Sequence, residues 1–154
     1  LAFGGNLNPV AGLGTTLDRG DGGDPIEIFY SIAEVISLSG PSMAQATIDA
    51  STITSPANHV QYIPGQVKGG RVTLGVNFLP KDTSHLGLIS DLKSGALRNF
   101  RLVFPDGVQS SDSDESLNSV WEFAAYVTGF NPSVQLTDRI TASIGLTLDG
   151  EAVI

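Results

Sequence analysis

Two histidines, His59 and His85, are the side chains in this chain best suited to act as general bases near neutral pH. A serine nucleophile needs such a base held against it. Serines are scattered along the whole chain, and no Gly-x-Ser-x-Gly elbow occurs. His59 falls in a stretch without period, and His85 in the first turn of an expected helix, where it reads as a surface residue. Asp112, Asp114 and Glu115 cluster, but without the glycine and the distal bidentate acid of an EF-hand loop, so they read as a solvated acidic loop. Residues 20–24, GDGGD, resemble one unit of a calcium-binding repeat that is not repeated. Gly12-Leu13-Gly14 lacks the preceding strand and following helix of a phosphate cradle. The chain has no cysteine, so disulfides and thiolate metal sites are excluded. Neither a catalytic centre nor a cofactor or metal is expected.

The totals agree with a structural role. A chain of 154 residues suits one domain with its own core. Its net charge of −8 argues against a surface built to hold nucleic acid, which needs clustered Lys and Arg. The 18 glycines and 8 prolines point to strands and turns. No apolar run approaches the ~20 residues that span a bilayer, and no membrane partner is expected. No basic region followed by an apolar core opens the chain, so no secretory leader is expected.

The elements follow from periodicity. Residues 1–23 read as a glycine-rich N-terminal arm, more apolar than a solvated tail through Leu1, Phe3, Leu7, Val10, Leu13 and Leu17. Residues 26–31 and 34–38 read as strands, closed by Gly40-Pro41. From 45 to 54, Ala44, Ala46, Ile48 and Ala50 alternate with Gln45, Thr47, Asp49 and Ser51. Residues 55–68 hold two prolines and a glycine without period, and read as a long loop. After Gly69-Gly70, Val72, Leu74, Val76 and Phe78 oppose Arg71, Thr73, Gly75 and Asn77. Asp82 or Thr83 can cap a helix with Leu86, Ile89 and Leu92 as its stripe and Gly95 as its stop. Residues 99–104 place Phe100, Leu102 and Phe104 inward, Pro105-Asp106-Gly107 turns, and residues 109–118 form an acidic surface loop.

Residues 121–148 read as the organising hairpin. Asn131-Pro132 is expected to separate its two strands. Val134, Leu136, Ile140, Ala142, Ile144, Leu146 and Leu148 then share one parity of a single second strand. That strand would run about 14 residues, or roughly 45 Å at ~3.4 Å per residue. Its length exceeds what one small core can use and hints at assembly between subunits. The class is α+β, mainly antiparallel β.

In order and spacing these segments resemble the major tail tube proteins of long-tailed, non-contractile phages of the siphovirus type. The resemblance runs through Gly14-Thr15-Thr16-Leu17, the strand before Gly40-Pro41, and Ala46-Thr47-Ile48-Asp49 with Thr52 and Ser55. Tyr62-Ile63-Pro64-Gly65 with Gly69-Gly70 and the following strand is its most specific part; the helix, FRLVFPDG at 100–107 and the final hairpin complete it. The insertion at 109–118 departs from many relatives, whose Pro-Asp-Gly turn leads almost directly into the next strand.

The resemblance implies a β-sandwich or barrel-like subunit with one short flanking helix, in hexameric rings whose inner strands join into one barrel. Rings would stack into the virion's tail tube, with a tape measure protein inside, terminator and distal tail or baseplate proteins at its ends, and DNA passing through without sequence-specific binding. A polar, acidic lining would let DNA slide, since a basic one would hold phosphates. Gln45, Thr47, Asp49, Ser51, Arg71, Thr73 and Asn77 are the expected lumen-facing residues. Asn58, His59, Val60, Tyr62 and Ile63, with Phe3 and Leu7 of the arm, are the expected contacts between rings or subunits. The alternatives are a tube of a contractile tail or secretion system, a monomeric β-sandwich binding module and, last, an enzyme.

Overall fold

The computed structural model describes residues 12–53, 59–106 and 118–154. In chain order the strands are β1 (Thr16–Gly20), β2 (Phe29–Ser31), β3 (Val35–Ser39), β4 (Met43–Asp49), β5 (Tyr62–Gly69) and β6 (Arg71–Asn77). The helix α1 (Thr83–Ser94) precedes β7 (Leu97–Val103), β8 (Val120–Ser133) and β9 (Thr141–Leu148). Seven strands form one antiparallel sheet in the order β2-β1-β7-β8-β9-β6-β3, and β4 and β5 pair separately. The sheet is open, because β2 and β3 are its two ends. It curls enough that β3 comes near β1 and β7 across a groove of about 460 Å³ lined by Leu17, Val35, Leu38, Leu102 and Phe104. The expected α+β class with one short helix is what the chain adopts.

Alternation builds the core. Val72, Leu74 and Val76 of β6, Phe100 and Leu102 of β7, Phe123, Ala125 and Val127 of β8 and Ala142, Ile144 and Leu146 of β9 are all buried on one face. Each Val, Leu, Ile or Phe among them contributes about 1.5–3 kcal/mol when taken from water. Phe100 stacks on Phe123 with centroids 5.8 Å apart, and Trp121 meets Phe104 edge-on at 5.3 Å.

Several strand limits differ from the sequence reading: β2 starts only at Phe29, and β4 ends at Asp49. The chain does not turn at Asn131-Pro132: β8 runs on to Ser133, and residues 134–140 make the turn. Proline is tolerated there because β7 pairs with β8 only up to Tyr126, so Pro132 lies where β8 has a single neighbour. The 14-residue strand is therefore the first of the pair, while β9 has 8 residues. Residues 62–68, expected in a loop, belong to strand β5; Pro64 and Gly65 sit at a bulge in its ladder with β4, which erases the period. The arm ends before residue 16, since β1 pairs with both β2 and β7 and buries Leu17.

The helix has the expected caps but another inner face. The Asp82 carboxylate accepts from the N–H groups of Ser84 and His85, and Gly95 closes the helix in the left-handed region. Leu86 is exposed, and the buried positions are His85, Leu88 and Asp91. His85 is thus not a surface residue: Nδ1 accepts from the N–H of Leu79 at 3.1 Å and Nε2 donates to the carbonyl of Ala33 at 2.8 Å. Phe78 stacks on its ring.

Asp91, 1% exposed, joins the helix to the sheet. Arg19 of β1 donates to both its oxygens at 2.5 and 2.8 Å, and Arg98 of β7 donates to Oδ1 at 3.1 Å. Hydrogen bonding to Asp91 holds the Arg19 guanidinium above its ordinary range. The plane of Arg19 lies over Gly87, where a Cβ would come within 3.1 Å of it.

Asp91→Ala leaves two half-covered guanidinium groups without their carboxylate. It should lower the free energy of unfolding by about 3–5 kcal/mol in urea titration, whereas a loss below about 1 kcal/mol would show that the clasp is not a support. The Ser84 hydroxyl and the capped N–H groups hold the Asp82 carboxyl below its usual range. Its stabilising effect is therefore full above the unfolded-state value of ~3.9 and is lost as pH falls through the lower folded one. Asp82→Ala should cost about 1 kcal/mol at neutral pH, with the difference from the parent shrinking below about pH 4; a difference constant down to pH 3 would contradict the cap.

Candidate functional site

Both nitrogens of His85 are bonded to backbone groups, and His59 is exposed just ahead of β5. Among the described residues no cluster of three or more His, Asp or Glu side chains is placed to hold a metal. In the GDGGD stretch the Asp21 carboxylate accepts from the N–H groups of Gly23 and Ile28, and these bonds lower its pKa. That carboxylate shapes a loop. Asp112, Asp114 and Glu115 lie outside the described residues.

What the fold does present is a projecting ribbon. β3 runs into β4 through Gly40-Pro41, and β5 runs into β6 through Gly70. β3 pairs with β6 and β4 with β5, so these four strands are one long hairpin creased at the two glycine junctions. The backbones meet tightly there. A Cβ on Gly70 would lie 2.3 Å from the carbonyl oxygen of Ser42, and one on Gly40, at φ 104°, would lie 2.5 Å from that of Arg71. The Ser42 hydroxyl also accepts from the N–H of Arg71 at 3.1 Å, so close backbone approach and this bond together set the direction of the ribbon.

Among the described residues no other strand pairs with the ribbon beyond the crease. Every residue of β4 is exposed. Ile48 pairs with Ile63, and both are about half exposed, at 51% and 49%. Ala44 and Ala46 share the parity of Ile48. On the other side, Gln45 lies opposite Val67, Thr47 opposite Pro64 and Asp49 opposite Tyr62. That side is mixed, with Met43, Tyr62 and Val67 exposed among the polar residues. Asp49 accepts from the N–H of Ser51 at 2.9 Å, and the Ser51 hydroxyl followed by that N–H lowers its pKa.

The expected lumen residues fall into two groups. Gln45, Thr47 and Asp49 stand on the ribbon, with Ser51 just past its end receiving the N–H of Gln61 at 2.8 Å. Arg71, Thr73 and Asn77 stand on β6, opposite in sense to the buried Val72, Leu74 and Val76. By strand count Val67 and Gly69 share the parity of Arg71 and Thr73, and pair with Gln45 and Met43. Across β9 the β6 face continues through Thr141, Ser143 and Thr147, and Thr128 of β8 hydrogen-bonds Thr147 at 3.1 Å. Asn77 donates from Nδ2 to Glu34 at 3.2 Å. Small hydroxyl side chains make this face smooth and polar.

Of the expected contact residues, His59, Val60, Tyr62 and Ile63 are exposed on or beside the ribbon. Asn58, Phe3 and Leu7 lie outside the described residues. Sequence reading missed the exposed turn at 134–140, because Val134 and Leu136 keep the parity of the strand that follows. Ile53 and Val60, apolar and exposed, were also a signal.

Similar solved structures share this fold. The tube of an extracellular contractile injection system, from its sheath–tube complex in the extended state, is 17% identical with TM-score 0.69, covering 96% of this chain and 92% of that one. The SPP1 tail tube is 12% identical with TM-score 0.68, covering 92% and 77%. The tail of an empty gene transfer agent particle, in C6 symmetry, is 14% identical with TM-score 0.67, covering 90% and 93%. No curated protein sequence matches the chain. The family model of the lambda phage tail tube protein matches residues 23–154, and the chain belongs to that family of structural virion proteins.

Proposed function

We propose that six copies of this chain form a ring and that rings stack into the tail tube of a phage without a sheath. The observation that carries the reading is the projecting ribbon, a two-stranded sheet with isoleucines on one side and Met43, Tyr62 and Val67 on the other, all open to water. A lone two-stranded ribbon is marginal in water, and a second chain would cover it. The open strand ends β2 and β3 are further pairing edges that closure between copies would remove. The C6 symmetry of the gene transfer agent tail supports six copies. Sheathed and unsheathed tubes share this fold, and the lambda family match favours the unsheathed kind.

In this reading the tube houses a tape measure protein and then conducts DNA without reading its sequence. Terminator and distal tail proteins close its ends. Gln45, Thr47, Asp49, Ser51, Arg71, Thr73 and Asn77 line the bore. The net charge of −8 supports a wall that DNA slides along, since phosphates bind where cations cluster and release counterions. Arg71 is the cation of that face, and its neighbours Thr147 and Thr73 are neutral. Tyr62 and Ile63 anchor contacts between rings, with Asn58, His59, Val60, Phe3 and Leu7 beside them.

Microscopy of the purified chain tests both parts. Six-fold rings and tubes with the β6 face inward are expected. A chain that stays monomeric at every concentration would refute the tube, and tubes with Thr73 on the outer surface would refute the lining.

A further inference from the structure

The ribbon has a counterpart at the other end of the subunit. β6 begins at Arg71, next to the crease, and ends at Asn77, opposite Thr141 of β9. The ribbon and the β8–β9 turn at 134–140 therefore project from opposite ends of one strand, roughly 24 Å apart at ~3.4 Å per residue. On that turn Leu136 is fully exposed and Val134 is 69% exposed. Ile140 and Leu79 extend the patch, brought together by the N–H of Phe78 donating to the carbonyl of Ile140 at 2.9 Å. The sheet cannot cover these residues, because they lie past the last paired residues of β8 and β9.

Both ends also carry one charge of each sign. The ribbon has Asp49 and Lys68, and the turn has Asp138 and Arg139. Among the described residues neither Lys68 nor Arg139 forms an ion pair. Lys68 pairs with Ala44 and so lies on the Ile48 side of the ribbon, opposite in sign to Asp138 of the turn, whereas Asp49 lies on the other side. Two different patches at opposite ends make a head-to-tail contact, which repeats without closing. Ribbon against ribbon would close after two copies and stop growth.

We infer that the Ile48–Ile63 face of the ribbon docks on the Val134–Leu136 turn of a copy in the adjacent ring. The occupant of the turn is thus a second copy of this chain. This rests on the proposed stacking of rings and adds to it the receiving surface. Lys68, on the Ile48–Ile63 side of the ribbon through its pairing with Ala44, then meets Asp138, which fixes the polarity of the stack.

Leu136→Asp and Ile48→Asp each place a charge at a solvent-exposed position, so both chains fold with parental circular dichroism. Under conditions where the parent forms tubes, each variant alone should give single rings. An equal mixture should give paired rings that grow no further, because each ring keeps one competent side. Tubes of parental length from Leu136→Asp, or a mixture that stays at single rings, would overturn the contact while leaving the tube reading intact. Monomers from Leu136→Asp would put the turn between neighbours within a ring and also overturn it. A parent chain that builds neither rings nor tubes would refute the tube reading itself.

Discussion

A pair of β-strands with no third strand and no covered face gains too little burial to hold its own backbone in place. Among the described residues β4 and β5 are such a pair. Every residue of β4 is open to water, and the isoleucine pair at its centre is about half exposed. The same chain folds a well-buried sheet a few residues away. The contrast divides the molecule into a body that is stable by its own packing and a projection whose apolar side chains are half open to water. Glycines at the crease let the two backbones approach closely enough to give the projection a definite direction. Direction matters, because a contact made tens of ångströms from the body is displaced by small changes at its root.

The body supplies the rigid root. Its apolar face is continuous from β1 to β6, and α1 is tied to that face by His85 and Asp91. Asp91 reaches β1 and β7 at once, so the helix, the strand after the N-terminal arm and the middle of the sheet move as a unit. Buried ion pairs often add little net stability, but they hold register where apolar packing allows slippage. Holding register suits a subunit whose surfaces must repeat from copy to copy.

Much of this was legible in the residues. Val72, Leu74 and Val76 against Arg71 and Thr73 marked a half-buried strand, and the structure keeps both its faces. Asp82 and Gly95 marked the helix ends by capping chemistry. The inner face of the helix was not legible: Leu86 is as apolar as Leu88, and only tertiary contacts put His85 and Asp91 inside. Pro132 and Pro64 misled for one reason. Proline breaks a strand bonded on both sides, yet it is tolerated where a neighbour has ended or a bulge intervenes. Leu136 misled because parity carries through a turn without announcing it. For the functional surfaces, Tyr62 and Ile63 stood out as apolar residues with no period to bury them. The receiving turn was hidden inside what looked like one strand.

Hydrogen exchange at the ribbon amides tests most directly whether other copies complete it. In the isolated subunit, amides of residues 43–49 and 62–69 should exchange quickly while those of β6 to β9 stay protected. In the assembled tube the ribbon amides should become as slow as the body. Equal protection of the ribbon in the subunit and in the tube would contradict the dependence of the ribbon on its neighbours.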